Sequence, residues 1–81
     1  MIKWTVYSKN NCPYCEKAKF ALKAANEEFV VKNINDDPEY FTELMERNPA
    51  ARTMPQIYKE NDLIGGYDNL VTYLELQKQS L

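Results

Sequence analysis

Histidine is absent from these 81 residues, and cysteine and glycine occur only twice each. Without an imidazole there is no cysteine–histidine base pair and no histidine metal ligand. Zinc needs four ligands drawn mostly from Cys and His, which two cysteines alone do not supply. The same two cysteines are too few for the disulfide scaffold of a small secreted protein. No apolar stretch approaches the roughly 18 residues of a membrane span. Charge of one sign is lacking too: a net charge of −2 with 27% charged residues fits neither a disordered polyelectrolyte nor a general nucleic-acid binder. Met1-Ile2-Lys3-Trp4 runs at once into strand-like sequence, so no signal peptide is expected and the protein is read as cytoplasmic. In that reducing compartment a lone Cys pair points to transient, catalytic disulfide chemistry.

What is present is enough for one domain spanning 1–81, near the lower size at which a chain buries its own core. No repeat, low-complexity tract or linker divides it. Charge is spread unevenly: residues 1–26 carry a net +4, residues 27–48 a net −5 and the remainder −1. Two readings of the basic first third stand side by side. It is a set of solvated faces, or it is a positive field around the cysteines that favours thiolate and attracts anionic partners.

Hydrophobic spacing lays out the elements. Ile2, Trp4 and Val6 alternate with Lys3, Thr5 and Tyr7, which predicts a strand from Ile2 to Ser8. Ala18, Ala21, Leu22 and Ala25 recur at helical spacing within a helix over Tyr14 to Asn26, leaving Glu16, Lys17, Lys19 and Lys23 to water. Phe29 to Ile34 is rich in β-branched residues and reads as a second strand. Asp36-Asp37-Pro38 starts a short helix, with an Asp cap and proline in the first turn. Phe41, Leu44 and Met45 are its expected buried stripe, and Asn48-Pro49 ends it. Pro55 to Tyr58 and Leu63-Ile64 flank Lys59-Glu60-Asn61-Asp62, a hairpin with a four-residue turn. Gly65-Gly66 breaks the second arm, and Asp68 caps a last helix that buries Leu70, Val71 and Leu74. The order is βαβαββα. The first two strands, joined through a helix, should be parallel, and the terminal hairpin adds antiparallel strands.

The chemistry concentrates in Cys12-Pro13-Tyr14-Cys15, at the passage from the first strand to the first helix. Two thiols separated by two residues can close a small disulfide without moving the rest of the chain. At a helix start the free N–H groups and the dipole favour an anion, and thiolate is the attacking form of cysteine. A Cys-x-x-Cys pair beside a βαβ pattern reads as a thioredoxin-like redox centre.

Ser8-Lys9-Asn10-Asn11-Cys12-Pro13-Tyr14-Cys15 resembles the active-site loop of dithiol glutaredoxins. Arg52-Thr53-Met54-Pro55-Gln56-Ile57 resembles their Thr-Val-Pro segment, and Gly65-Gly66-Tyr67-Asp68 their Gly-Gly-x-Asp segment. The likeness covers essentially the whole chain and its order of elements. It implies an α/β, thioredoxin-like fold with a four-stranded mixed sheet flanked by three helices. It also implies a glutathione-dependent thiol–disulfide oxidoreductase that reduces protein–glutathione mixed disulfides and protein disulfides.

By the same resemblance Cys12 is the nucleophile and Cys15 the resolving thiol. Pro55 is a cis-proline that turns the Met54 backbone toward a bound thiol peptide, although from its residues alone it is a plain strand-start proline. Lys9 meets the glycine carboxylate of glutathione. Asp68 and Asn69 meet its γ-glutamyl end at the last helix's free N–H groups, Gly66 lets the backbone approach the ligand closely, and Tyr67 belongs to the same binding set. Tyr14, Arg52 and Thr53 complete the binding set. Lys9, Tyr14 and Arg52 also read as ordinary surface residues, and Asp68 as a helix cap, a role compatible with ligand contact. Met54 where Val is commoner, and Asn69 where a second acid is frequent, bear on glutathione affinity. Glutathione is then the reductant, with no tightly bound cofactor and no metal. The partners implied are glutathionylated or disulfide-bearing proteins, ribonucleotide reductase among them, with no nucleic acid or membrane and a monomeric state. Two other classes compete. One is a thioredoxin-type donor reduced by a flavin reductase, which would lack a glutathione site. The other is an iron–sulfur carrier, which usually has another residue where Pro13 stands.

Overall fold

The computed structural model describes residues 3–79. Seven elements follow one another: β1 (Trp4–Ser8), α1 (Pro13–Ala24), β2 (Phe29–Asn33), α2 (Pro38–Arg47), β3 (Gln56–Lys59), β4 (Asp62–Gly65) and α3 (Tyr67–Gln79). They form the expected βαβαββα thioredoxin-like fold, with one sheet in the order β2-β1-β3-β4. β1 runs parallel to β2 and antiparallel to β3, and β4 closes the hairpin on β3. Ile2, expected to open the first strand, lies outside the described residues.

Side-chain alternation on β1 and β3 sorts the core into two layers. Trp4, Val6 and Ile57 point one way and pack with Ala18 and Leu22 of α1 and Leu70 of α3. Tyr7 and Tyr58 point the other way and pack with Leu44 of α2. Tyr7 is fully buried although it alternates with Trp4 and Val6, because a central strand covered by helices on both faces has no solvent side. Polar tips in these layers find partners: the Trp4 indole Nε1–H donates to Glu27 over 3.0 Å.

Several boundaries differ from the expectation. α1 starts one residue earlier, with Pro13 in its first turn, and ends at Ala24. Asn26 takes the left-handed conformation there (φ 61°), and the N–H groups of residues 25 to 27 bond back to the carbonyls of Ala21, Lys23 and Leu22. On α2 the cap is Asp37, whose carboxylate accepts the Glu39 N–H over 2.9 Å. Of the expected stripe of α2, Leu44 is fully buried and Met45 packs partly buried against the same layer, but Phe41 is 47% exposed. Tyr40, Glu43, Leu44 and Arg47, at helical spacing, face the sheet and meet Lys32, Tyr7 and Tyr58. The hairpin turn is tighter than four residues: Lys59 pairs with Asp62, so only Glu60 and Asn61 turn, Glu60 at φ 54°. Asp68 is not the cap of α3 but sits in its first turn. The Asn69 amide oxygen accepts the Gly66 N–H over 3.1 Å, so the third helical residue reaches back to the residue before the helix.

Candidate active site

β1 delivers the chain to the site and α1 carries it away. Between them, Asn10 is tied to the end of β2 and the segment after it: its N–H donates to the Asn35 side chain over 2.7 Å, and its side-chain oxygen accepts from Asn33 over 3.1 Å. Asn11 takes a left-handed turn (φ 55°), which asparagine tolerates better than most residues. Cys12 is the N-cap of α1, in extended conformation, and its Sγ accepts the Cys15 N–H over 3.2 Å. A helix normally places a hydroxyl or carboxylate oxygen there, so this sulfur sits in an anion's position, at the positive end of the helix dipole.

The two cysteines form a disulfide with Cα atoms 5.2 Å apart. Their exposure is unequal: Cys12 is 8% accessible and Cys15 is fully buried beneath it. An external disulfide therefore reaches Cys12, while Cys15 is placed to react only with what Cys12 carries. The nearby Glu16 carboxylate is paired with Lys19 over 2.6 Å, which offsets its repulsion of a Cys12 thiolate.

Opposite the sulfur stands the loop before β3. The Met54–Pro55 peptide bond is cis, as the resemblance implied, and the Met54 carbonyl oxygen lies 3.7 Å from Cys12 Sγ. The Gln56 side chain, nearly buried, donates to the Thr53 carbonyl over 2.8 Å and holds the bend. Gly65 adopts φ 124°, where a Cβ would also meet the Asn69 side chain at 2.6 Å; only glycine fits.

Between the bend and the start of α3 runs a groove of about 320 Å³. Its walls are Tyr14 of α1, then Thr53, Met54 and Pro55, and finally Gly66, Tyr67, Asp68 and Asn69. Eight of the ten binding residues expected from the sequence are thus brought together in one groove. Lys9 and Arg52 are not among its walls. Lys9 is exposed and makes no ion pair among the described residues. Arg52 folds back on its own loop, its guanidinium donating to the carbonyls of Pro49 and Ala51, each over 3.4 Å. Lys17 is exposed, as expected, but lies beside two walls of the groove: its ammonium is 5.0 Å from the Tyr14 ring centre and 6.0 Å from that of Tyr67. The only sequence signal for it is the three-residue step from Tyr14, which puts both on one helix face.

Perturbed ionisation lies behind the groove. Burial, followed by the hydrogen bond to Glu43, pushes the Tyr7 phenol well above its ordinary value. The Glu43 carboxyl is held below its ordinary value, first by the hydrogen bond from Lys32 and then by that from Tyr7. Among the described residues no cluster of three or more His, Cys, Asp or Glu could hold a metal ion. No described helix is long and apolar enough to cross a membrane.

A family model described as glutaredoxin matches residues 4–64. Glutaredoxin 1 of Rickettsia bellii is 40% identical over 68 residues, covering 80% of this chain and 69% of that protein. Glutaredoxin 3 of Escherichia coli K12 is 34% identical over 65 residues, covering 80% and 77%. Among solved structures, glutaredoxin 1 from Francisella tularensis, complexed with cacodylate, superposes with a TM-score of 0.76 at 25% identity, over 99% of this chain and 100% of that one. A buckwheat glutaredoxin–glutathione complex superposes at 0.77 over 93% and 70%, at an identity of 20% that speaks for the fold alone.

Proposed function

The chain belongs to the glutaredoxin family and is a thiol–disulfide oxidoreductase, and we propose that glutathione is the thiol it works with. The carrying observation is the groove that runs from the Met54 carbonyl, 3.7 Å from Cys12 Sγ, to the start of α3. An extended tripeptide thiol suits that shape. Its cysteine backbone would bond Met54 as an added strand, its sulfur would face Cys12, and its γ-glutamyl carboxylate would reach the free N–H groups of α3. Asp68 would accept from the γ-glutamyl ammonium. Tyr14, Thr53, Pro55, Gly66, Tyr67 and Asn69 shape the walls, while Lys9 would act on the glycine carboxylate from outside.

In this mechanism the Cys12 thiolate attacks the glutathione sulfur of a protein–glutathione mixed disulfide. The S–S bond breaks, the protein leaves as thiolate and takes up a proton, and Cys12 is glutathionylated. Thiol exchange with a second glutathione releases Cys12 and yields glutathione disulfide. With a protein disulfide, Cys12 forms the mixed disulfide and Cys15 attacks its sulfur from below. The substrate's second thiol departs and the Cys12–Cys15 bond remains, to be reduced by two glutathiones. Because the chain has no histidine, Cys12 ionises through its N-cap position, with no imidazole base. We further place the protein in the cytoplasm as a monomeric single domain acting on glutathionylated or disulfide-bearing proteins.

The test is reduction of hydroxyethyl disulfide by glutathione, coupled to glutathione reductase and NADPH. Wild type is expected to be active, Cys15→Ser to retain much of the rate and Cys12→Ser to lose it. An inactive wild type would overturn the glutathione reading. Equal activity of both serine variants would overturn the roles given to the two sulfurs.

A further inference from the structure

We propose that Lys17 is a specificity-determining residue: its ammonium pairs with the α-carboxylate at the γ-glutamyl end of the bound thiol peptide. This rests on the glutathione reading and adds to it a cation that no expectation had assigned to the groove. The groove is to receive an anionic peptide, yet none of its eight wall residues is a cation, and Asp68 adds a negative charge. Arg52 is engaged with its own loop. Lys19 and Lys32 are paired with Glu16 and Glu43, and Lys59 donates to the Tyr73 hydroxyl over 2.6 Å.

Among the described residues Lys17 alone combines a free charge with contact to groove walls. It forms no ion pair among the described residues, and its ammonium lies over the Tyr14 and Tyr67 rings. Those rings are 6.0 Å apart and form adjoining parts of the wall. Tyr67 immediately precedes Asp68, so the lysine stands at the α3 end of the groove and not at the end near Met54. The aromatic faces hold the ammonium by cation–π attraction and leave its N–H donors to a carboxylate. Lys17 and Asp68 then present opposite charges to the two charged groups of an α-amino acid, a pattern that selects a zwitterionic end over a neutral one.

The experiment is a single-turnover reaction of the reduced protein with mixed disulfides that share a 2-mercaptoethanol leaving group. The thiol peptide is glutathione, its 4-aminobutanoyl analogue (the γ-glutamyl residue without its α-carboxylate) or cysteinylglycine. With the glutathione disulfide, Lys17→Gln is expected to raise the half-saturating concentration about fivefold, the scale of one charge-assisted contact at a solvated site, with the limiting rate unchanged. With the 4-aminobutanoyl analogue the variant and wild type should coincide, and Lys17→Arg should restore most of the glutathione affinity. An unchanged half-saturation in Lys17→Gln would overturn the proposal, and so would an equal rise with both peptides, which would mark a general charge effect. Wild type that handles all three peptides alike would instead overturn the glutathione reading itself.

Discussion

The two faces of the sheet solve the same burial problem with different chemistry. On the face covered by α1 and α3, the fully buried contacts are hydrocarbon and indole: Val6, Ala18, Leu22, Ile57, Leu70 and Trp4. On the face covered by α2, two tyrosines and one leucine fill the centre. Their edge-to-face rings, 5.8 Å apart, are ringed by charge. Arg47 lies 4.5 Å from the centre of Tyr58, and Lys32 bonds Glu43 over 2.6 Å beside the Tyr7 hydroxyl. Two helices shield the first face, so apolar packing suffices there. A single helix leaves the second closer to water, and aromatic bodies with polar tips suit that half-wet layer. The active site draws on both. The first face sets the N-termini of α1 and α3, and the second supports Met54, which packs against Tyr7, Leu44 and Tyr58.

Substitutions should expose this difference. The largest effect is expected from Leu22→Ala in the hydrocarbon layer, a loss of about 2–4 kcal/mol in urea unfolding, because a closed layer cannot collapse on the cavity. The loss should be the same at every pH between 4 and 11. Tyr7→Phe should cost less, about 1 kcal/mol, through loss of the bond to Glu43.

Its signature is in the pH profile. The folded chain keeps the Tyr7 proton that the unfolded chain begins to release near pH 10. The contribution of Tyr7 is therefore complete below that pH and is lost as pH rises past it. Tyr7→Phe should flatten this alkaline limb. Glu43 works in the opposite sense. Its folded carboxyl titrates below the ordinary value of 4.5, so its stabilisation is present above that pH and fades as the solution becomes more acidic. Glu43→Gln should flatten the acid limb by a smaller amount, because the group is partly solvated. A Leu22→Ala profile that changed shape, or a Tyr7→Phe profile that kept its alkaline fall, would erase the distinction between the faces. The smallest effect is expected for Phe41→Ser. That ring is half exposed beside the second layer, and thermal unfolding should change by no more than about 0.5 kcal/mol.

Phe41 shows where reading by pattern runs out. Positions 41, 44 and 45 and positions 40, 44 and 47 both satisfy a helical stripe, and the residue types favour the first. Only Leu44, common to both, is fully buried; Tyr40 and the exposed Arg47 meet Lys32 and Tyr58 of the sheet, partners that a period cannot reveal. The surroundings of Arg52 and Lys17 escape the sequence for the same reason. Arg52 adjoins the Thr53-Met54-Pro55 segment in sequence, yet local carbonyls hold it. Lys17 looks like one more solvated helix lysine until α3 brings Tyr67 beside Tyr14.

Short-range chemistry was determined by the sequence alone. A sulfur with its proline at a helix start, an Asp-Pro helix cap and the alternating first strand each depend on neighbours within about one turn or one strand, whose geometry local bonding dictates. The tertiary structure decided the cis state of Met54–Pro55, the burial of Tyr7 on a second face and the choice of cation at the groove. These are settled by contacts between segments some forty or fifty residues apart in the chain, such as Cys12 with Met54 and Tyr14 with Tyr67. Near-equal local alternatives exist at each such place, and only the packing of distant elements makes one of them lower in free energy.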